Sequence, residues 1–246
     1  MIREFFVNEY PHFLFKPFGL IHNIFILLAF IPLLIIYINR NKISRITKKK
    51  TRKVLVICSI ILLINQIIYT FGNLYYGSFD YKENLPLHLC FIANYMFIFA
   101  ILFKKYKLLN LTFYLSIIGP TATILWPDLV STIDNYNFWN LVISHHFFIN
   151  VSLFSYYSLG YKLGKKDLVH SLLLMYSLTI LLIPFNIVFK TNYIFSSKIP
   201  DNVLALYPFL APVPPLLLLV SLSSFYGYIT YKFIVERRNK ELKLDI

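Results

Sequence analysis

The chain holds two cysteines and six histidines in 246 residues, and members of both classes fall inside strongly apolar runs. Residues 84–96 read NLPLHLCFIANYM, which sets His88, Cys90 and Asn94 within seven positions; residues 144–148 read SHHFF and carry His145 and His146. A thiol beside an imidazole can be held as the thiolate, whereas a thiol buried without a partner is inert. Cys90 with His145 or His146 therefore supplies the minimum pair for nucleophilic catalysis. In a membrane the reachable carbonyl is a lipid ester, so the chemistry implied is acyl transfer through a thioester. Cys90 would attack, a histidine would move the proton, and the acyl group would pass to an alcohol or to water. Asn94 lies one turn from Cys90 on the same helical face, placed to donate to the oxyanion. Adjacent residues on a helix stand about 100° apart, so one of His145 and His146 faces inward. Asn150 shares a face with His146 at i, i+4 and would orient that ring.

The same residue types ligate zinc or copper, and His88, Cys90, Asp128, His145 and His146 form the donor set to test. On a regular helix His-x-Cys spacing turns the two side chains some 200° apart. Neither Cys-x-x-Cys nor His-x-x-x-His occurs. We assign no metal site and no soluble cofactor.

Composition says what positions these groups. Apolar residues make up 58% and charged residues only 14%, with mean hydropathy +0.64, against about 25% charged in soluble domains. Apolar stretches at 18–38, 54–76, 85–103, 108–126, 139–161, 168–189 and 211–233 each approach the roughly 20 residues that cross a bilayer. The first is read as a retained helix, since no small-residue cleavage site follows it. Eight Lys and Arg lie in 40–53, three in 104–107, three in 162–166 and five in 232–243, together 19 of 24. All fall on one side of a seven-helix fold, which the positive-inside rule makes cytoplasmic. The expected architecture is all-α: one seven-helix transmembrane domain over 1–246, N-terminus outside and C-terminus cytoplasmic, a multi-pass protein of the cell membrane. The formal charge of +13 is then a topology signal first and an anionic-lipid contact second, and no nucleic-acid partner is assigned. Cys58 and Cys90 fall near opposite ends of their helices, roughly 15 Å apart in depth, beyond disulfide reach.

Depth sorts the polar residues. His22 lies one turn in from the outer end of the first helix, Asn73 near the outer end of the second, and His88 and Cys90 one to two turns into the third. Asp128 stands at the outer mouth of the fourth, His145 and His146 roughly 10 Å into the fifth, and Asn186 within a turn of the outer end of the sixth. Five helices thus place polar groups in one outer layer, roofed by Asp128, with 190–210 packed over it as a cap. Asn65 and Gln66 lie deeper, His170 at the cytoplasmic end, and His12 in the external N-terminal segment. Each member has a bland alternative: an intramembrane His or Asn often bonds a neighbouring helix, and a lone Cys packs as a small hydrophobe.

In order along the chain, LPLHLC (85–90), GPTATILWPDL (119–129), SHHFF (144–148) and NIVFKTNYIF (186–195) resemble the YwaF-type integral membrane proteins, whose animal relatives include transmembrane protein 164. The resemblance runs from the second helix to the last. It implies a phospholipid acyltransferase with Cys90 as nucleophile and a histidine of 145–146 as base. The chain departs from the family pattern at Phe91 and Trp126. The expected function is a lipid acyltransferase or hydrolase acting on membrane phospholipid or lysophospholipid, with His22, Asn73, His88, Asn94, Asp128, Asn150 and Asn186 lining the pocket. Two other classes compete: a transporter or small-molecule binding component that uses the same pocket without chemistry, and a structural partner in a membrane complex.

Overall fold

The computed structural model describes residues 2–7, 14–129 and 132–244, with side chains described through 242; His12 lies outside them. Among the described residues the fold is helical without strands. Helix α1 (Ile2–Val7) precedes α2 (Leu20–Ile38), α3 (Arg40–Ser44) and α4 (Lys48–Tyr76). Next come α5 (Leu89–Leu102) and α6 (Leu108–Leu125). The fifth apolar stretch runs as α7 (Tyr136–Leu141), a π-helical segment (Val142–Phe147) and α8 (Phe148–Leu159). After α9 (Lys165–Phe189), α10 (Asp201–Leu206) sits between two 3-10 turns, Tyr193–Phe195 and Pro208–Leu210. The chain ends in α11 (Pro215–Thr230), a second π-helical segment (Tyr231–Glu236) and α12 (Arg237–Leu244).

Among the described residues five helices are long and apolar enough to cross a membrane: Leu20–Ile38, Lys48–Tyr76, Leu108–Leu125, Lys165–Phe189 and Pro215–Leu242. The two remaining apolar stretches fall short for different reasons. Helix α5 has 14 residues, about 21 Å of rise against a hydrocarbon core of roughly 30 Å. Turns around Pro86 delay its start to Leu89 rather than 85. The run 136–159 is helical throughout, but Asn140, Ser144, His145, His146 and Asn150 dilute its apolar character and the π-helical segment interrupts it.

Local chemistry moves other boundaries. The basic stretch 40–53, expected as a linker, is largely helical. The Thr47 hydroxyl accepts the Lys50 N–H at 3.4 Å and caps α4 six residues before its apolar run begins. At the other end Gly77 takes φ +75°, the Ser78 N–H reaches Asn73 O at 2.9 Å and the Gly77 N–H reaches Leu74 O. A side chain there would oppose the left-handed turn that closes the helix.

Helix α6 is the innermost span, 56% buried where α2 and α9 bury 17%. Leu89, Ala93, Phe97 and Ile101 of α5 pack with Leu109 and Leu115 of α6 and Phe148 of α8 into one core. Phe113, Ile117 and Ile118 join Ile149, Leu153 and Tyr156 in a second. The outer faces stay apolar: Leu27, Leu28, Ile31 and Leu34 on α2, Ile60, Ile64 and Ile67 on α4, and Ile180, Leu181 and Ile187 on α9 are all exposed. So continuous an apolar exterior is a surface for lipid.

The segment after α9 folds back over the start of α5. The Asn186 side chain organises that turn. Its N–H groups donate to Tyr193 O at 2.9 Å and Ser196 Oγ at 2.8 Å, while its Oδ1 accepts from the Thr191 hydroxyl and the Tyr193 N–H. Tyr193 then donates its hydroxyl proton to Tyr81 O at 2.6 Å and accepts the Leu85 N–H at 3.1 Å. Ile194 sits at φ +59°, costly for a β-branched residue, and is held there by burial in the core against α5. Asn186→Leu removes four hydrogen bonds at once. We expect it to lower stability by about 2–4 kcal/mol, read as a depressed melting temperature in detergent together with faster proteolysis within 190–200.

Candidate functional site

Cys90 occupies the first turn of α5, behind His88 as N-cap residue with extended backbone (φ −68°, ψ 146°) and no side-chain cap. The amides of Phe91 and Ile92 both reach His88 O, at 3.0 and 3.2 Å, while those of Leu89 and Cys90 make no hydrogen bond among the described residues. Two unspent amides at a helix start are the kind of donors an oxyanion needs. The sulfur is seated on α6. A Cβ added at Gly119 would lie 2.8 Å from Sγ, and the Thr123 side chain, one turn on, approaches the thiol. Glycine at 119 is what lets the thiol come so near the helix.

His145 and His146 lie in the π-helical segment, where the widened turn re-aims both rings. His145 Nδ1 lies 3.1 Å from Leu141 O and 2.8 Å from Ser144 Oγ. A carbonyl only accepts, and the Ser144 hydroxyl is already donated to Asn140 O at 2.6 Å. Nδ1 is therefore the donor and Nε2 keeps the lone pair. The ring lies within electrostatic range of His88, which packs against Tyr193 at 4.9 Å and Phe195 at 5.3 Å. His146 turns the other way, edge-on to Phe25 at 3.8 Å and near His22, with neither ring nitrogen bonded. Among the described residues no hydrogen bond joins the thiol to either imidazole.

Two expected roles need correction. The Asn94 NH2 donates to Cys90 O at 2.9 Å and Ser144 O at 3.1 Å, so both its protons are used and none is left for an oxyanion. Its unpartnered atom is Oδ1, an acceptor. Asn150 donates to the backbone carbonyls of His146, at 2.7 Å, and Ala29, at 3.0 Å, rather than to the His146 ring.

Other members of the outer layer are committed to the fold. His22 accepts the Phe18 N–H at Nδ1 and donates from Nε2 to Ile124 O at 2.9 Å, pinning α2 to α6. Asn73 donates to Tyr69 O and accepts from Ser78 Oγ. Asn186 is saturated by the turn it organises. Asp128 is exposed beside Asp201 and Lys198 at the mouth. Desolvation by the surrounding segments, then the Asp201 charge, lifts its carboxyl above the usual carboxylate range, and Lys198 opposes them. The Asn202 amide bonds Pro127 O next to it, so 198–203 closes over this rim. Deeper down, Asn65 donates to Asn140 Oδ1 at 2.8 Å and accepts the Tyr136 hydroxyl at 2.9 Å.

The sequence matches the TMEM164 family over residues 11–231, a span that contains all of these side chains. The chain belongs to the TMEM164 family. No curated protein and no solved structure matches it. With its apolar helices, this TMEM164-family chain is a multi-pass membrane protein. Among the groups flanking Cys90 that residue spacing missed, only Gly119 left a signal, as a small residue next to Pro120 in an apolar helix, the mark of close helix approach. Nothing in the residue pattern announces the π-helical segment or the free amides of TMEM164-family residues 89 and 90. Gly119→Ala should cost about 1–3 kcal/mol through overpacking, and most of that cost should vanish in a Cys90→Ala background. Thermal denaturation of the double-mutant cycle measures this; an equal cost in both backgrounds would show that the thiol is not seated on Gly119.

Proposed function

We propose that this chain is a membrane-embedded lipid acyltransferase or hydrolase with Cys90 as nucleophile. The observation that carries the reading is the thiol's place in the first turn of α5 beside the unbonded amides of Leu89 and Cys90. Family membership supports it. The membrane arrangement we infer is seven spans, with α5 and the run 136–159 joining the five apolar helices, N-terminus outside, C-terminus cytoplasmic, in the cell membrane. The Cys90 end then faces the outer leaflet, and the substrate is a phospholipid or lysophospholipid.

In the proposed cycle Sγ forms a bond to the ester carbonyl carbon, and the carbonyl electron pair moves onto oxygen, where the amides of Leu89 and Cys90 receive it. Collapse expels the glycerol oxygen, which takes the proton a histidine has drawn from the thiol. A second alcohol, or water, then attacks the thioester and gives its proton to the histidine; collapse breaks the C–S bond and releases the acyl product, and the histidine returns the proton to Sγ. Of the two imidazoles, His145 is the better base, because its donor nitrogen is fixed on Leu141 O and its Nε2 lone pair is left available. No hydrogen bond links it to the thiol, so the proton passes through one bridging water or the substrate oxygen.

The unpartnered acceptors of Asn94 and Asn150 and the unbonded ring of His146 favour a second reading, a binding component that holds a polar ligand without chemistry. The full chain, reconstituted with phospholipid labelled in the acyl chain, separates the two. Acyl transfer requires hydroxylamine-sensitive label on wild type and Cys58→Ala but none on Cys90→Ala, with His145→Gln slowing turnover about 100-fold or more. Turnover by Cys90→Ala at the wild-type rate sinks the nucleophile assignment.

A further inference from the structure

The end of the bundle remote from Cys90 carries a second feature that acyl transfer does not use. Phe103, the C-cap residue of α5, stands thirteen positions after Cys90, about 20 Å of rise. At that far end a cavity of about 360 Å³ is lined by Lys48, Lys49 and Arg52 from the first turns of α4, with Tyr106, Leu159 and Tyr161 as its other walls. A second cavity of about 490 Å³ shares Tyr106 and is lined by Lys104, Lys105, Lys107 and Phe99.

Six cations thus surround one tyrosine, and none is in an ion pair among the described residues. The chain has acids that could have neutralised them, yet Glu236 and Glu241 pair with Lys232, Lys240, Arg40 and Arg237 elsewhere. Helix α4 adds the positive end of its dipole, and its Lys48 and Lys49 amides make no hydrogen bond among the described residues. Directly beside this charge the surface turns apolar. Phe99 on α5, Phe103 at its C-cap, and Val54 and Ile57 on α4, are exposed large hydrophobics. Uncompensated cations next to an apolar flank, at the end of a membrane bundle, match one ligand shape: an anionic head with hydrocarbon tails.

We propose that the paired cavities around Tyr106 bind the phosphate headgroup of an anionic membrane lipid. Lys48, Lys49, Arg52 and the start of α4 hold the phosphate, Lys104, Lys105 and Lys107 serve a second anionic group or a neighbouring headgroup, and the acyl chains lie along Phe99 and Phe103. This site is structural or regulatory, and it stands whether or not Cys90 reacts.

The test uses the full chain in phosphatidylcholine-containing micelles, titrated with phosphatidylglycerol and followed by melting temperature. Phosphatidylglycerol should raise the melting temperature saturably, and added phosphatidylcholine should not. The triple variant Lys48→Gln, Lys49→Gln, Arg52→Gln should weaken the half-saturating concentration about tenfold or more. A matched triple, Lys162→Gln, Lys165→Gln, Lys166→Gln, removes as much charge but lines neither cavity, and should change it less than about twofold. Equal losses in the two triples would overturn the site, because the attraction would then be diffuse. Inorganic phosphate that gives the same shift without lipid would overturn the lipid assignment in favour of a soluble anion. Running the series in Cys90→Ala keeps the result separate from the proposed chemistry.

Discussion

The carboxamide of Asn94 reaches across from α5 to hold two backbone carbonyls, Cys90 O in its own first turn and Ser144 O in the π-helical segment. Hydrocarbon offers no water to a bare carbonyl, so every irregular step in a membrane helix must find its donors inside the protein. Around the π-helical segment that requirement is met four times. Asn140 O takes the Ser144 hydroxyl, Leu141 O takes His145 Nδ1, Ser144 O takes Asn94, and His146 O takes Asn150. Asn150 also holds Ala29 O of α2. One widened turn therefore ties three membrane helices together, at about 0.6–1.7 kcal/mol for each interhelical bond.

That accounting divides the polar layer in two. His22 and Asn186 have their hydrogen-bonding capacity spent on a helix crossing and a turn, Asn73 and the deeper Asn65 are each bonded through both ends of the amide, and the polarity of all four is explained by the fold. Among the described residues, unpartnered side chains elsewhere in the bundle include Thr51, Ser59, Gln66, Tyr156 and Tyr157; around Cys90 and the π-helical segment the unspent groups are the amides of Leu89 and Cys90, Nε2 of His145, both nitrogens of His146 and the acceptor atoms of Asn94 and Asn150. An unspent polar group in hydrocarbon is costly and is retained where it has work to do. Four of these belong to residues 89–94, in the first two turns of α5, or to the ring that faces His88. Cys90 lies among them while His88, an N-cap residue whose extended backbone stands outside the helix, turns to Tyr193 and Phe195.

Much of this was legible in the residues. Apolar runs located the five helices long enough to cross a bilayer because that length is set by the hydrocarbon thickness, and constant helical rise lets depth be counted along each of them. Legibility failed where a side chain's partner lies far away in sequence. Asn94 looks like an oxyanion donor from its i, i+4 relation to Cys90, yet Ser144, fifty residues on, claims the second proton. Asn150 looks like a histidine orienter, yet the carbonyl of His146 takes the bond instead of the ring. The π-helical segment is invisible to a 100° period, since a single widened turn shifts the phase without changing composition. The start of α5 was misjudged for a related reason: residues 85–88 are apolar enough to extend the helix, but the proline among them favours turn geometry.

The late start of α5 explains why the outer cap exists. With Lys104 and Lys105 held at one interface, a rise of about 21 Å leaves roughly 9 Å of hydrocarbon between the first turn of α5 and the opposite boundary. Two free amides and a thiol would then stand below the headgroups, at a depth where exposed backbone is tolerated only if protein or a lined cavity covers it. The 190–197 turn supplies that cover. Tyr193 bonds Tyr81 O and the Leu85 amide, its ring and that of Phe195 shield His88, and Ile194 is driven into the core at a backbone angle it would not adopt alone. Strain of this kind survives only where the surroundings overdetermine it. Here they do: Asn186 fixes the turn from one side and the α5 core grips Ile194 from the other. The cap therefore covers the start of α5 while leaving its amides unbonded among the described residues, and a helix N-terminus acts most strongly on charge developing beside it when it is shielded from bulk solvent.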